Sequence, residues 1–176
     1  MKNTVLAALL ALTSYWTQAQ YKPVDKESTL KFKIRNLGFG VDGSFSGFQG
    51  DIRFDPAHPA DAAFDVSIDA NSVNTDNSMR DDHLRAASYF DVKNYPRIRF
   101  VSERVAASNK KGMWILSGKL TVKNHTKDIS FPFSASASGG GYLFDGGFSI
   151  DRKDFEVGGT SPISNNLDIT IHVLAK

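Results

Sequence analysis

The run Leu30-Lys31-Phe32-Lys33-Ile34-Arg35 decides the fold. Apolar and basic residues alternate with a period of two, which puts one kind of side chain on each face of a β-strand. The same alternation recurs down the chain. Phe48, Ile52 and Phe54 are evenly spaced around Gly50, and Phe64, Val66 and Ile68 stand against Asp65, Ser67 and Asp69. Ile98 and Phe100 lie between Arg97, Arg99 and Ser102, and Trp114, Leu116, Gly118, Leu120 and Val122 share one parity. Phe131 and Phe133 follow, then Phe144, Phe148 and Ile150. Leu167, Ile169, Ile171 and Val173 end the series against Asp168, Thr170 and His172.

Eight strands are expected, over residues 28–36, 44–55, 62–70, 97–105, 112–123, 126–137, 141–151 and 165–175. Gly43, Gly47 and Gly50 mark bulges or sharp coiling in the second. Pro132 cannot donate to a ladder, which points to an edge or a bulge. One short helix is expected over 78–90. Ser78 and Asp81 form its capping box, and Met79, His83, Ala87 and Phe90 share one face. A further helical turn is expected near 151–155. An all-β, eight-stranded antiparallel barrel follows, because closure removes exposed strand edges. A two-sheet sandwich is the second choice. An inverted outer-membrane barrel, apolar outside, is the third.

The 176-residue chain holds 13 Phe and no Cys, so aromatic volume and not disulfide bonding fills the apolar face. Its 21 Lys+Arg against 19 Asp+Glu are scattered without a basic block, which argues against nucleic acid as a partner. Residues 1–19 have the three-part layout of a secretory signal peptide. Met1, Lys2 and Asn3 form a basic start, 5–12 an uncharged apolar run, and Thr17-Gln18-Ala19 a cleavage site. The expected mature protein is one domain over 20–176, exported to the periplasm and without a lipidated cysteine.

The chemistry-bearing residues are few. His58, His83, His125 and His172 stand in no metal-type spacing, and no metal site is expected. There is no Cys nucleophile and no Gly-x-Ser-x-Gly elbow. Arg80, Asp81, Asp82 and His83 form the one local cluster with acid–base potential. They read either as an exposed helix start or as a polar collar at a barrel mouth. The apolar parity includes Phe32, Ile34, Phe48, Phe54, Phe100, Leu116, Phe131, Phe144, Phe148 and Ile169. At eight strands, these either fill the interior or line a space for one ligand. Glycines on the strands, which fill no volume, tip the balance toward a space.

Several motifs occur in order along the chain. They are Gly43-Ser44-Phe45-Ser46-Gly47-Phe48-Gln49-Gly50, Asn71-Ser72-Val73-Asn74-Thr75, Arg80-Asp81-Asp82-His83-Leu84 and Tyr89-Phe90-Asp91, then Tyr95-Pro96-Arg97-Ile98-Arg99-Phe100, Gly118-Lys119-Leu120-Thr121-Val122 and Arg152-Lys153-Asp154-Phe155. In this combination the sequence resembles the YceI-like family of bacterial periplasmic proteins across the whole mature chain. The resemblance implies a lipocalin-like barrel with an apolar tunnel that binds a polyisoprenoid or fatty amphiphile, as a carrier or store and not as an enzyme. Arg80, Asp81, His83, Tyr89 and Arg152 match the family motif, and they are expected at the mouth, facing a ligand head group. Tyr89 stands where the family usually has Phe. No metal or redox cofactor is implied, although an isoprenoid, a quinone or a fatty amphiphile would serve as ligand. Transient membrane contact and a homodimer are compatible partners. Two other functions stay open: an envelope stress or assembly module with a filled barrel, and a small lipid-modifying enzyme with His83 and Asp81 as acid–base pair.

Overall fold

Ten strands form one antiparallel sheet in the computed structural model, which describes residues 19–160 and 162–176. The leader expected over 1–19 therefore lies, except for its last residue, outside the described residues. The strands are β1 (Gln20–Tyr21), β2 (Thr29–Asn36), β3 (Phe39–Phe45), β4 (Gln49–Arg53), β5 (Ala63–Asp69), β6 (Arg97–Ala107), β7 (Met113–Val122), β8 (His125–Ser138), β9 (Gly141–Asp151) and β10 (Ile163–Ala175). Their order is β1-β4-β5-β6-β7-β8-β9-β10-β2-β3.

β3 and β4 run end to end through residues 46–48, so the two sides of the strand order belong to one stretch of chain and the sheet curls into a barrel. Backbone bonds draw the seam together. Asp69 N–H donates to Ser46 O at 3.0 Å and Ser44 N–H to Asn74 O at 2.8 Å. At the other end Lys22 N–H donates to Lys176 O and Val24 N–H to Leu174 O, both at 2.8 Å. A single curled sheet replaces the sandwich alternative.

The expected count of eight differs from ten for two local reasons. The expected second strand is cut at Gly47, whose φ of +73° turns the chain, and Phe48 N–H leaves the ladder to donate to Asp25 Oδ1 at 2.8 Å. β1 is a two-residue addition on β4. The sequence reading also began the second strand too late. β3 starts at Phe39, directly after a tight turn with Leu37 and Gly38 both at positive φ, and Gly40 and Gly43 interrupt its alternation. Pro132 is not on an edge strand, since β8 lies between β7 and β9. It pairs with Ile115 of β7 at the point where the β8–β9 ladder, which begins at Phe133, has stopped.

The helix α1 (Ser78–Arg85) is shorter than expected. Its cap is Asn77, whose side chain accepts from Arg80 N–H at 3.0 Å, one residue before the expected Ser78. Asp81 does not complete a capping box, being held by Thr75 instead. Beyond Ala86 the chain leaves the helix, and Phe90 turns inward to meet Phe45 edge to face at 5.3 Å. The expected second helical turn is present as a 3₁₀ turn, Arg152–Phe155.

The apolar parity faces inward. Phe32, Phe48, Phe54, Phe100 and Phe131 are all buried in the shared interior, and Phe148 packs against both of its halves. The outer face carries ion pairs, among them Arg99–Asp65 at 2.6 Å, Lys119–Asp128 at 2.7 Å and Lys33–Asp42 at 3.3 Å. Apolar inside and charged outside is the reverse of an outer-membrane barrel, which corrects the third alternative.

Two strand glycines do not open space, contrary to expectation; they receive rings. A Cβ built on Gly43 would sit 2.2 Å from Cζ of Phe32, its cross-strand partner. One built on Gly118 would sit 2.8 Å from Cζ of Phe100 and 2.2 Å from Val101 O. Gly43→Ala should therefore displace the Phe32 ring and cost about 1–3 kcal/mol in urea unfolding. Gly40→Ala on the same strand, with nothing within 4 Å of its Cβ, should stay within about 0.5 kcal/mol of the parent.

Candidate functional site

The interior has a filled end and a hollow end. Phe54 sits at the centre of the filled end, packed edge to face on Trp114 (5.2 Å), Tyr142 (5.3 Å), Phe144 (5.4 Å) and Phe133 (5.8 Å). Such pairs add roughly 0.5–1.5 kcal/mol each beyond area burial. Burial here pushes the Tyr142 phenol up from its ordinary pKa, with Tyr21 and Asp55 adding to the shift. Phe54, expected to line a tunnel, belongs to this plug and borders neither cavity.

Next to the plug lies a narrow chamber of ≈ 120 Å³. Phe48, Phe100, Leu116, Phe131, Phe144 and Phe148 line it, and among the described residues Ser67 and Arg99 are the polar ones on its walls. A wide chamber of ≈ 480 Å³ occupies the opposite end, with Phe32, Ile34, Phe148 and Ile169 on its walls. The two chambers share Leu30, Ile68, Ile98, Leu120 and Phe148, which form a waist between them. Phe148 is held there by stacking on Phe131, centroids 4.6 Å apart and planes 25° apart. The wide chamber opens past Asn77, Met79, His83 and Pro162, all exposed and all on its lining.

The mouth gathers four of the five expected polar residues: Arg80, His83, Tyr89 and Arg152 all border the wide chamber. Asp81 does not. It is buried, and its Oδ1 accepts from Thr75 N–H at 2.9 Å and Thr75 Oγ1–H at 2.5 Å. Arg80 donates from Nε to Thr75 Oγ1 and from Nη2 to Thr75 O, each at 2.7 Å. Thr75 is thus the joint through which α1 is fixed to the preceding loop. Arg85 adds Nε to Asn71 O (2.9 Å) and Nη2 to Val73 O (3.0 Å).

His83 is exposed and makes no hydrogen bond to Asp81, so the acid–base pair required by the enzyme alternative is not assembled. Among the described residues no group of three His, Cys, Asp or Glu is placed to hold a metal ion.

Arg152 is 3% exposed, and its guanidinium serves the backbone. Nε donates to Ser164 O (3.0 Å), Nη1 to Val157 O (2.6 Å) and Gly159 O (3.2 Å), and Nη2 to Ile163 O (3.2 Å). It pins the stretch after the 3₁₀ turn to the start of β10. This replaces the expected head-group contact with a structural role, because donors directed at carbonyls are not presented to a ligand.

The sequence reading missed Asn36. It borders the wide chamber at the end of β2, and its Oδ1 is buried without a partner. An unpaired buried acceptor costs about 1–3 kcal/mol, so a donor brought in by a ligand would relieve it. Its parity is that of Leu30, Phe32 and Ile34, which puts it on the inner face, and a polar residue at an inward position was the one signal the sequence offered.

The YceI-like domain, as a family model, matches residues 21–175. The chain is 31% identical over 179 residues to the UPF0312 protein YE1254 of Yersinia enterocolitica, covering 96% of this chain and 92% of that one. The barrel is similar to the crystal structure of BcnA from Burkholderia cenocepacia (TM-score 0.80, 27% identity, 86% of this chain and 98% of that one) and to the structure of a polyisoprenoid binding domain from Saccharophagus degradans (TM-score 0.72, 14% identity, 91% and 99%).

The two arginines at the mouth should separate in mutagenesis. Arg152→Met leaves the carbonyls of Val157 and Ser164 without their donor, and should lower stability by about 3–5 kcal/mol in denaturant titration. Arg80→Gln, at the half-buried rim, should cost about 1 kcal/mol.

Proposed function

We propose, from the premise that this chain belongs to the YceI-like family, that it is a periplasmic lipid-binding protein that holds an isoprenoid or other long amphiphile inside the barrel. The observation that carries this reading is the pair of neighbouring, mostly apolar chambers that share the Phe148 waist, the wider of them open beside Met79. The wide chamber's ≈ 480 Å³ is within the usual size of small-molecule pockets, about 300–1,000 Å³. Each CH₂ removed from water contributes about 0.8 kcal/mol, so a twelve-carbon stretch gains roughly 10 kcal/mol gross, before the costs of immobilisation.

The tail would enter the narrow chamber as a single chain, and the wide chamber has room for a longer one to fold back. The polyisoprenoid binding of the Saccharophagus degradans domain supports an isoprenoid as the ligand class. A quinone or a fatty amphiphile meets the same apolar requirement. The head group would sit among Asn36, Arg80, His83 and Tyr89. Asn36 Oδ1 would accept from a hydroxyl or amide donor, and Arg80 Nη1, which has no bond among the described residues, would donate to a carbonyl or phosphate oxygen. Holding and releasing a ligand, and not transforming it, suits a site where Asp81 serves Thr75 and His83 stands apart from it. The periplasmic setting rests on the leader-like layout of residues 1–19.

Mass spectrometry of protein extracted under native conditions should find a long-chain lipid bound. Delipidated protein should gain stability with added ligand as RT ln(1 + [L]/Kd), about 2.7 kcal/mol at a hundredfold excess over Kd. Phe148→Trp should narrow the waist and weaken binding of long-chain ligands at least roughly tenfold, while changing the stability of the delipidated protein by less than about 1 kcal/mol. If no isoprenoid, quinone or fatty amphiphile stabilises the protein, and Phe148→Ala costs the about 3–5 kcal/mol of a filled core, the barrel is a solid scaffold and the carrier reading fails.

A further inference from the structure

We infer that the rim of the wide chamber docks on the surface of a lipid bilayer, with Leu37, Phe39 and Met79 entering the head-group layer. The inference rests on the lipid-binding reading above. These three are the large apolar side chains that stand out as exposed among the described residues, at 75%, 78% and 72%. Single exposed apolar residues need no explanation, but a cluster does. The three come from distant parts of the chain, the β2–β3 turn and the first turn of α1, yet they converge on one opening. Asn36 and Val41, flanking the turn, line the wide chamber, and Met79 lines it directly.

Backbone conformation adds an independent reason. Leu37 has φ +49° and Gly38 φ +86°. A tight hairpin turn with two left-handed positions is suited to Asn, Asp or Gly. A leucine there is unfavourable in conformation as well as in exposure, and neither fold nor solubility calls for it.

Charge identifies the occupant. In the two segments that carry the three apolar residues, 33–42 and 76–85, Lys33, Arg35, Arg80 and Arg85 are balanced by Asp42, Asp76, Asp81 and Asp82, with Lys33–Asp42 (3.3 Å) and Arg85–Asp82 (3.0 Å) as direct ion pairs. This near-neutral surface has no strong field to attract anionic lipid, and it suits a zwitterionic head-group layer that apolar side chains enter. A second copy of the chain seated here would seal the opening. A bilayer instead sets the opening against the phase that holds the hydrocarbon, so that a tail passes into the barrel without crossing water.

The test is co-sedimentation of the delipidated protein with sucrose-loaded phosphatidylcholine vesicles, compared with the double variant Leu37→Asn, Phe39→Ser. The parent should partition onto vesicles equally at low and high salt, and the variant should lose at least about tenfold of that partitioning. The variant's melting temperature should be unchanged or raised, because Asn tolerates the left-handed turn better than Leu. Affinity for a water-soluble dansylated fatty acid should be the same in both proteins. A parent that fails to sediment, or a variant that sediments as well as the parent, overturns the inference. Dimerisation in velocity sedimentation without vesicles, abolished in the variant, overturns it in favour of a second copy. Vesicle binding by the parent with no affinity for any lipid ligand would instead sink the lipid-binding reading and leave the docking surface standing.

Discussion

A barrel lined with phenylalanine must find room for rings that are wider than the spacing between neighbouring side chains. Here backbone supplies part of that room. Phe32 lies over Gly43 and Phe100 lies over Gly118, each ring where a Cβ would otherwise stand. These contacts let large residues share a wall without driving the strands apart. Around Phe54 the rings meet edge to face and leave nothing between them. Toward α1 the lining sets Phe32, Phe45, Tyr89, Phe90, Phe148 and Phe155 among Leu, Ile and Val, and the same wall encloses open space. Cavity and plug are thus two outcomes of one packing problem, decided by whether the rings close on one common centre.

The polar architecture of the mouth follows a different rule. Asp81, Thr75 and Arg80 satisfy one another, and Arg152 satisfies backbone carbonyls. A motif that concentrates charge beside an apolar cavity would be costly if those charges were left without partners. Using them to tie loops together leaves the mouth with a modest set of free polar atoms, among which, in the described residues, Asn36 Oδ1 is both buried and unpaired.

Much of this was readable in the sequence, and the limits are instructive. The parity of Leu30, Phe32 and Ile34 identified the inner face correctly, because a period of two admits no other arrangement in a sheet with one apolar side. Phe148, Phe131 and Leu116 lie on the inner face as that parity required, and there they border a cavity. Parity does not distinguish a ring that faces space from one that faces other rings, so Phe54 looked the same as Phe48. Nor does it reveal register across the barrel, which is what sets Phe32 opposite Gly43 and so turns an absent side chain into an occupied site. The strand from Phe39 was hidden because Gly40 and Gly43 carry no side chains to alternate. The role of Arg152 depends on carbonyls up to twelve residues away, in a segment with no regular pattern. The cap at Asn77 was masked by Ser78, an equally good capping residue one position along.

The aromatic plug also makes the barrel directional. A tube open at both ends would let a chain thread through and leave on the far side. A barrel packed solid around Phe54 and entered beside Met79 would admit an amphiphile tail first and return the tail by the way it came. The last part of the ligand to enter is then the first to leave, and the head group stays within reach of whatever the mouth faces for as long as the ligand is held. Delivery between two membranes would require the whole protein to detach, turn and present the same mouth again, so the pace of such exchange would be set by the motion of the loaded protein and not by any passage of lipid through it.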